Sequence, residues 1–251
     1  MLYQAHRGVS TEYPENTMPA FIAAVEQGYD YIEADPAFTK DGQCIVFHDQ
    51  TIKRTCRTAD GSPITEDIAV AELTYKELLS YDAGIFMGEQ FRGTSVPLLS
   101  ELLEFSKKHH IPVKLDNKVQ SFTEEQRERF FDIVNAAGAP AAITASNLEY
   151  FEVAAKRFSK ATLHFDGLVN EENLIKVRKI AGDRELYVWI SLDTPLTKWV
   201  QVPHASTELC SLIKKYAKLG IWILETDAEA DEAKAFGADI IETTGSVKPK
   251  K

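Results

Sequence analysis

The sequence predicts a single α/β domain, a (β/α)8 TIM-type barrel over residues 1–251, with a small insertion after a β-hairpin that follows the second strand. Three observations lead there. Strand and helix signals alternate from one end of the chain to the other. The length of 251 residues matches the roughly 250 that such barrels use as one domain. The 44% hydrophobic content is enough for one large core.

Strands are expected at Leu2–His6, Tyr29–Asp35, Cys44–His48, Pro112–Lys118, Ala141–Ser146, Ala161–Asp166, Leu186–Leu192, Ile221–Thr226 and Ala238–Thr243. Helices fall between most of them. One runs from Thr17 to Gln27 and stops at Gly28. Another opens with a capping box, Thr123 with Gln126, and ends before Gly138. The last opens at Asp227 and closes at Gly237. Nine strands are one too many for this barrel. Only eight residues, including the turn pair Asp41-Gly42, separate Tyr29–Asp35 from Cys44–His48. Parallel strands need a crossover of about a dozen residues, so these two are expected to pair antiparallel. Residues of about 50–96 lack βα rhythm and read as an insertion over one mouth, with a short helix near Thr74–Leu79.

The net charge of −10 argues against a nucleic-acid partner or an anionic membrane surface, which call for basic patches. No apolar run approaches the roughly 18 residues of a membrane helix, so no membrane anchor is expected. The start, MLYQAHRG, reads as a strand rather than a signal peptide. Cys44, Cys56 and Cys210 show no CxxC spacing, which suits a reducing cytoplasm.

Glu33 and Asp35 are two apart on a strand and therefore share a face. At the carboxyl end of a barrel strand that face is the mouth. Adjacent carboxylates repel unless a cation lies between them, and hard oxygen ligands suit Mg²⁺ or Ca²⁺. Asp116 lies near the end of its own strand, with Lys118 two residues on. His6 and His48 bracket the cluster and could exchange protons near neutral pH, although a lone histidine is more often structural. Arg7 offers a planar fork for phosphate oxygens, or else a salt bridge to Glu15 or Glu33.

His6-Arg7-Gly8, Pro14-Glu15-Asn16-Thr17, Glu33-x-Asp35, Thr39-Lys40-Asp41-Gly42, His48-Asp49 and Arg54-Thr55 resemble the signature of the glycerophosphodiester phosphodiesterase family. Asp82-x-Gly84, Val96-Pro97, Asp116-x-Lys118, Ser146, Trp222 and Gly237-Ala238-Asp239 extend the likeness more weakly along the chain. The resemblance implies a metal-dependent barrel that splits glycerophosphodiesters into an alcohol and glycerol 3-phosphate. It implies that Glu33, Asp35 and Asp116 bind one divalent cation, Mg²⁺ or Ca²⁺ with Mn²⁺ as a third choice. It implies that His6 and His48 are the acid/base pair and that Arg7 and Lys118 hold phosphate. Trp222 would stack on a glycerol or sugar face, or else serve as a core aromatic. The expected partner is therefore a small phosphodiester.

The sequence also departs from the family pattern. Asp116 stands for the usual glutamate and Asn147 for phenylalanine. Ile223-Leu224-Glu225 follows Trp222, and Thr243-Thr244-Gly245 replaces the closing Thr-Asp-x-Pro. His164, Asp166, Asp193 and Glu225 are extra polar groups near the later strand ends, where they bear on the choice of substrate. Two rivals to the main expectation are a lysophospholipase D-like enzyme, with Phe86, Met87 and Phe91 as an apolar approach, and a non-catalytic binding barrel.

Overall fold

The computed structural model describes residues 1–194, 197–198 and 204–250. The barrel strands are β1 (Leu2–Ala5), β2 (Tyr31–Ala34), β5 (Val113–Leu115), β6 (Ala141–Ala145), β7 (Thr162–Phe165), β8 (Leu186–Ser191), β9 (Lys218–Leu224) and β10 (Ile240–Thr243). All neighbours run parallel, and β1 closes the ring between β10 and β2. Helices α1 (Met18–Glu26), α3 (Leu99–His109), α4 (Glu124–Ala137), α5 (Leu148–Arg157), α6 (Glu171–Ala181), α7 (Thr207–Lys214) and α8 (Asp227–Ala235) connect them. Among the described residues no helix is long and apolar enough to cross a membrane.

Local chemistry sets the helix ends. At α4 the Thr123 hydroxyl accepts from the Gln126 amide while Gln126 Oε1 accepts from the Thr123 amide, and Gly138 closes the helix in the left-handed conformation. The last helix opens at Asp227 as expected, and Thr226 before it forms the same reciprocal pair with Glu229 at α8.

The hairpin differs from expectation in its first arm. Cys44–Val46 (β4) pairs antiparallel not with Tyr29–Asp35 but with a separate strand, Pro36–Phe38 (β3), in the register Pro36↔Val46 and Phe38↔Cys44. Pro36 cannot donate to a barrel ladder, so the chain leaves the barrel at Asp35 and starts a new strand there. The hairpin and the insertion share a core of their own, built on Ile45, Phe47, Ile52, Leu78 and Val96. The short helix α2 (Tyr75–Leu78) lies within the expected span, capped by Thr74 and Glu77.

Outside the wall, helix faces bury Phe21, Leu102, Phe130, Phe151, Val177 and Ile213 against the strands. Inside it, Tyr31, Ala142, Tyr187, Trp189 and Ile240 plug the end of the barrel away from the carboxylates.

Candidate active site

The site is built on turns that only a strained backbone can make. Arg7 and Asn16, neither of them glycine, hold φ of 57° and 56°. Gly8 follows at φ 78°, where a Cβ would sit 2.7 Å from the Ala20 backbone. Positive φ on ordinary residues costs on the order of 1–3 kcal/mol and persists where the surroundings enforce it. The enforcement is visible. The Asn16 amide donates to Arg7 O at 3.0 Å, the Arg7 amide to Glu33 Oε2 at 3.0 Å, and Asn16 Nδ2 to Asp35 Oδ2 at 2.8 Å.

Glu33, Asp35 and Asp116 converge as expected, with one oxygen from each lying within 4.8 Å of the others. Asp35 takes most of the neighbouring positive charge. Lys118 Nζ lies 2.7 Å from its Oδ1. Arg7 Nε lies 3.2 Å from its Oδ2, near enough for an ion pair but out of line for a hydrogen bond. Burial works against ionising Asp35, yet Lys118 and Arg7 together hold its carboxyl down to about 2. Burial first, and the Asp35 charge second, push Glu33 well above the usual carboxylate range and raise Asp116 too. Three all-oxygen ligands crowded in this way, two of them held up by burial and by the like charge of the third, fit a hard divalent cation. The shorter Asp116 arm still reaches the cluster.

Lys118 arrives by a different route from the one its spacing suggested. β5 ends at Leu115, and Asp116 caps a 3₁₀ turn, Asn117–Ser121, by accepting from the Lys118 amide at 3.2 Å. The lysine thus reaches in from a turn, and it also donates to His48 O at 2.6 Å.

His6 and His48 flank the cluster. His6 Nε2 is 4.0 Å from Glu33 Oε2. Burial, partly offset by the Glu242 charge, holds His6 down to about 4. His48 follows β4, with Nδ1 2.7 Å from Asp49 Oδ1. Asp49 is gripped by Arg54, whose Nε and Nη2 donate to its two oxygens at 2.7 and 2.9 Å. Arg54 also donates twice to Glu15, at 2.7 and 2.8 Å, and Arg7 Nη1 donates to Glu15 at 2.9 Å. The salt-bridge alternative for Arg7 therefore holds with Glu15. A continuous chain of charges joins His48 to Arg7 and Asp35. Asn16, Asp49 and Arg54 have no role assigned from the sequence, although they stand in its most distinctive motifs.

Of the later-strand polar groups, His164 and Glu225 lie elsewhere than expected. His164 is buried inside the barrel, its Nδ1 accepting from Trp189 Nε1 at 2.9 Å, and does not line the mouth. Glu225 is exposed and leads into α8, its amide donating to Glu229. Asp166 accepts from Asn117 Nδ2 at 2.7 Å. Asp193 is exposed, 3.9 Å from His204, whose Nδ1 lies 2.9 Å from Ser191 Oγ. Trp222 is half-buried and packs on the interior plug. Phe91 meets Tyr13 edge-on at 5.6 Å. An apolar surface beside His48 comes from Phe38, Phe47 and Phe122.

Fold and site together define a β/α-barrel protein with a carboxylate cluster and two histidines at its mouth. A sequence profile of the glycerophosphoryl diester phosphodiesterase family matches residues 6–221, and the chain belongs to that family. The family is in general divalent-metal dependent. A glycerophosphodiester phosphodiesterase from Caldanaerobacter subterraneus subsp. tengcongensis is 44% identical over 100 residues, 40% of this chain and 38% of that protein. One from Bacillus altitudinis is 36% identical over 135 residues, 50% of this chain and 52% of its own. The match thus spans only about 38–52% of the length of these relatives. Among solved structures, an Oleispira antarctica phosphodiesterase in complex with the product sn-glycerol-3-phosphate superposes with a TM-score of 0.77 at 19% identity, covering 98% of this chain and 94% of that one.

Proposed function

We propose that this chain is a divalent-metal-dependent phosphodiesterase that cleaves a glycerophosphodiester into an alcohol and glycerol 3-phosphate. The observation that carries the reading is the approach of Glu33, Asp35 and Asp116 within 4.8 Å of one another, with a histidine on either side. The all-carboxylate set favours Mg²⁺, Ca²⁺ or Mn²⁺ over softer ions. A bound cation supplies positive charge to a phosphodiester that otherwise repels nucleophiles. The side chains do the rest. Lys118 and Arg7 face the charge that grows on the phosphoryl oxygens. His6, kept neutral by burial, is ready to accept a proton. His48 presents Nε2 because Asp49 holds Nδ1, and one histidine activates the nucleophile while the other protonates the departing oxygen. Membership of the family and the small-molecule product held by the Oleispira neighbour support a small substrate. The three free, buried cysteines support a reducing, cytoplasmic setting.

Turnover of glycerophosphocholine, followed by release of glycerol 3-phosphate, tests this. Chelation should abolish it and added Mg²⁺, Ca²⁺ or Mn²⁺ restore it. His6→Ala and His48→Ala should each lower kcat by about 10²–10⁴-fold while remaining folded. Full activity after exhaustive chelation, or a folded histidine variant with parental kcat, defeats the proposal.

A second reading concerns the alcohol or acyl portion. A groove of about 700 Å³ adjoins His48 and Lys118 and is walled by Phe38, Phe47, Val70 and Phe122. It suits a lysophospholipid chain. A higher kcat/KM for lysophosphatidylcholine than for glycerophosphocholine, lost in Phe122→Ser, would select that reading.

A further inference from the structure

Beneath the carboxylates, the barrel interior carries charge where barrels of this kind are filled with branched aliphatic side chains. Lys114 on β5 and Glu242 on β10 are separated around the wall by β2 and β1. Both are buried, and Lys114 Nζ lies 2.9 Å from Glu242 Oε2, so the pair spans the lumen. Gln4 Nε2 donates to the same carboxylate oxygen. The ammonium also rests on the face of Trp189, 4.5 Å from the ring centroid. That ring is anchored by its bond to His164. It also fills the space that a side chain on Gly220 would need, since a Cβ there would come within 2.5 Å of it.

Burying two charges costs several kcal/mol per ion before their attraction repays it, and hydrophobic side chains would fill this space at lower cost. The placement supplies a reason. Lys114 is the register partner of Glu33 on the neighbouring strand and stands two residues before Asp116 on its own. Its side chain therefore enters the lumen beside Glu33 and two residues below Asp116. An unrestrained ammonium at this place would swing to Glu33 and compete with a cation. A lone carboxylate in place of Glu242 would add a fourth negative charge under the cluster.

We propose that the Lys114–Glu242 pair is a charge-balanced floor that positions Glu33 and Asp116 for the divalent cation, with Lys114 and Glu242 as positioning residues rather than ligands. The inference rests on the reading of the triad as a metal site. Each half of the pair biases the site in the opposite sense, and Glu242 holds the ammonium on its own carboxylate rather than leaving it to Glu33.

Isothermal titration calorimetry with Mn²⁺ on the full chain tests the proposal without recourse to activity. Glu242→Gln keeps size and an acceptor for Lys114 but removes the charge. It should weaken Mn²⁺ binding by about 10–100-fold, the range typical when groups behind the ligands are altered. Lys114→Gln should bind Mn²⁺ at least as tightly as the parent. The double variant Lys114→Met/Glu242→Leu should return to within about threefold of the parent, as expected of two coupled groups whose effects cancel. A purely structural role would weaken binding in both single variants. Equal weakening, or no change in either, overturns the proposal. Circular dichroism establishes folding; if one single variant does not fold, the other still shows its sign against the double variant. If the parent binds no divalent cation, the metal reading itself has failed. If the parent binds and Glu242→Gln binds equally, only the floor has failed.

Discussion

Two guanidinium groups meet on Glu15, whose two oxygens both accept from arginines. Arg7 reaches it from the strained turn after β1, and Arg54 from the insertion. Through Arg54 and Asp49 it fixes the orientation of His48. Arg54 is about half exposed, so the ion pair itself adds little stability, of order 1 kcal/mol or less. Its value is positional. Glu15→Gln should therefore leave the melting temperature nearly unchanged yet lower kcat by about 10–100-fold, as loss of an orienting partner does. Parallel melting curves and steady-state kinetics check this. A large loss of stability with unaltered kcat would assign Glu15 to folding instead.

At the scale of elements, the insertion depends on one carboxylate. Asp82 accepts from the amides of Gly84 (2.7 Å), Ile85 (2.9 Å) and Gly93 (2.6 Å), drawing together both ends of the loop that holds Phe86 and Phe91. Burial works against its charge, but the amides of Gly93, Ile85 and Gly84 more than offset this and hold its carboxyl below the usual range. Hydrogen bonds to a charged group contribute roughly 1.5–3 kcal/mol each, and they are not additive. Asp82→Ala should cost about 2–4 kcal/mol and expose the 84–93 segment to protease before the barrel. The folded carboxyl is more acidic than the unfolded one, so its contribution is full above the unfolded value of about 3.9 and fades as pH falls. The gap in melting temperature between the parent and Asp82→Ala should accordingly shrink from neutral pH to about pH 3. A gap that widens on acidification would contradict the assignment. The hairpin shows what was hidden at this scale. The eight-residue joint and Asp41-Gly42 revealed that an antiparallel pair exists. The break at Pro36, which decides that the first arm is Pro36–Phe38, became plain only once the barrel had claimed Tyr31–Ala34.

For the molecule as a whole, a cation that binds only the folded barrel stabilises it in proportion to ln[cation]. At about 100 times its Kd the gain is about 2.7 kcal/mol. For a chain of this size that corresponds to a rise in melting temperature of roughly 5–10 °C. Differential scanning calorimetry with increasing Mn²⁺ should show this rise for the parent and not for Asp116→Ala. An equal rise in both would place the cation elsewhere. Pairing of β2 with β5 makes the site possible, because Glu33 on β2 and Asp116 just after β5 are far apart in sequence and adjacent only in the sheet.

The sequence by itself determined the alternation of strands and helices, the capped ends at Thr123 and Gly138, the insertion and the cluster of Glu33, Asp35, Asp116, His6 and His48. These follow from local rules, namely period-two alternation, capping chemistry and the position of residues at strand ends, which act over a few residues and can be read in order along the chain. Tertiary structure alone decided which charges meet. Lys114 and Glu242 could both be placed on inward faces by alternation, but their ion pair crosses the lumen between strands 128 residues apart. His164 stands at a strand position that could have served the mouth, and the ring of Trp189 claims it for the interior. Lys118 lies in the turn capped by Asp116 rather than on a strand, and it pairs there with Asp35. Pairings of this kind depend on distances across a closed surface, set by strand tilt and side-chain volume together, and no short stretch of sequence contains them.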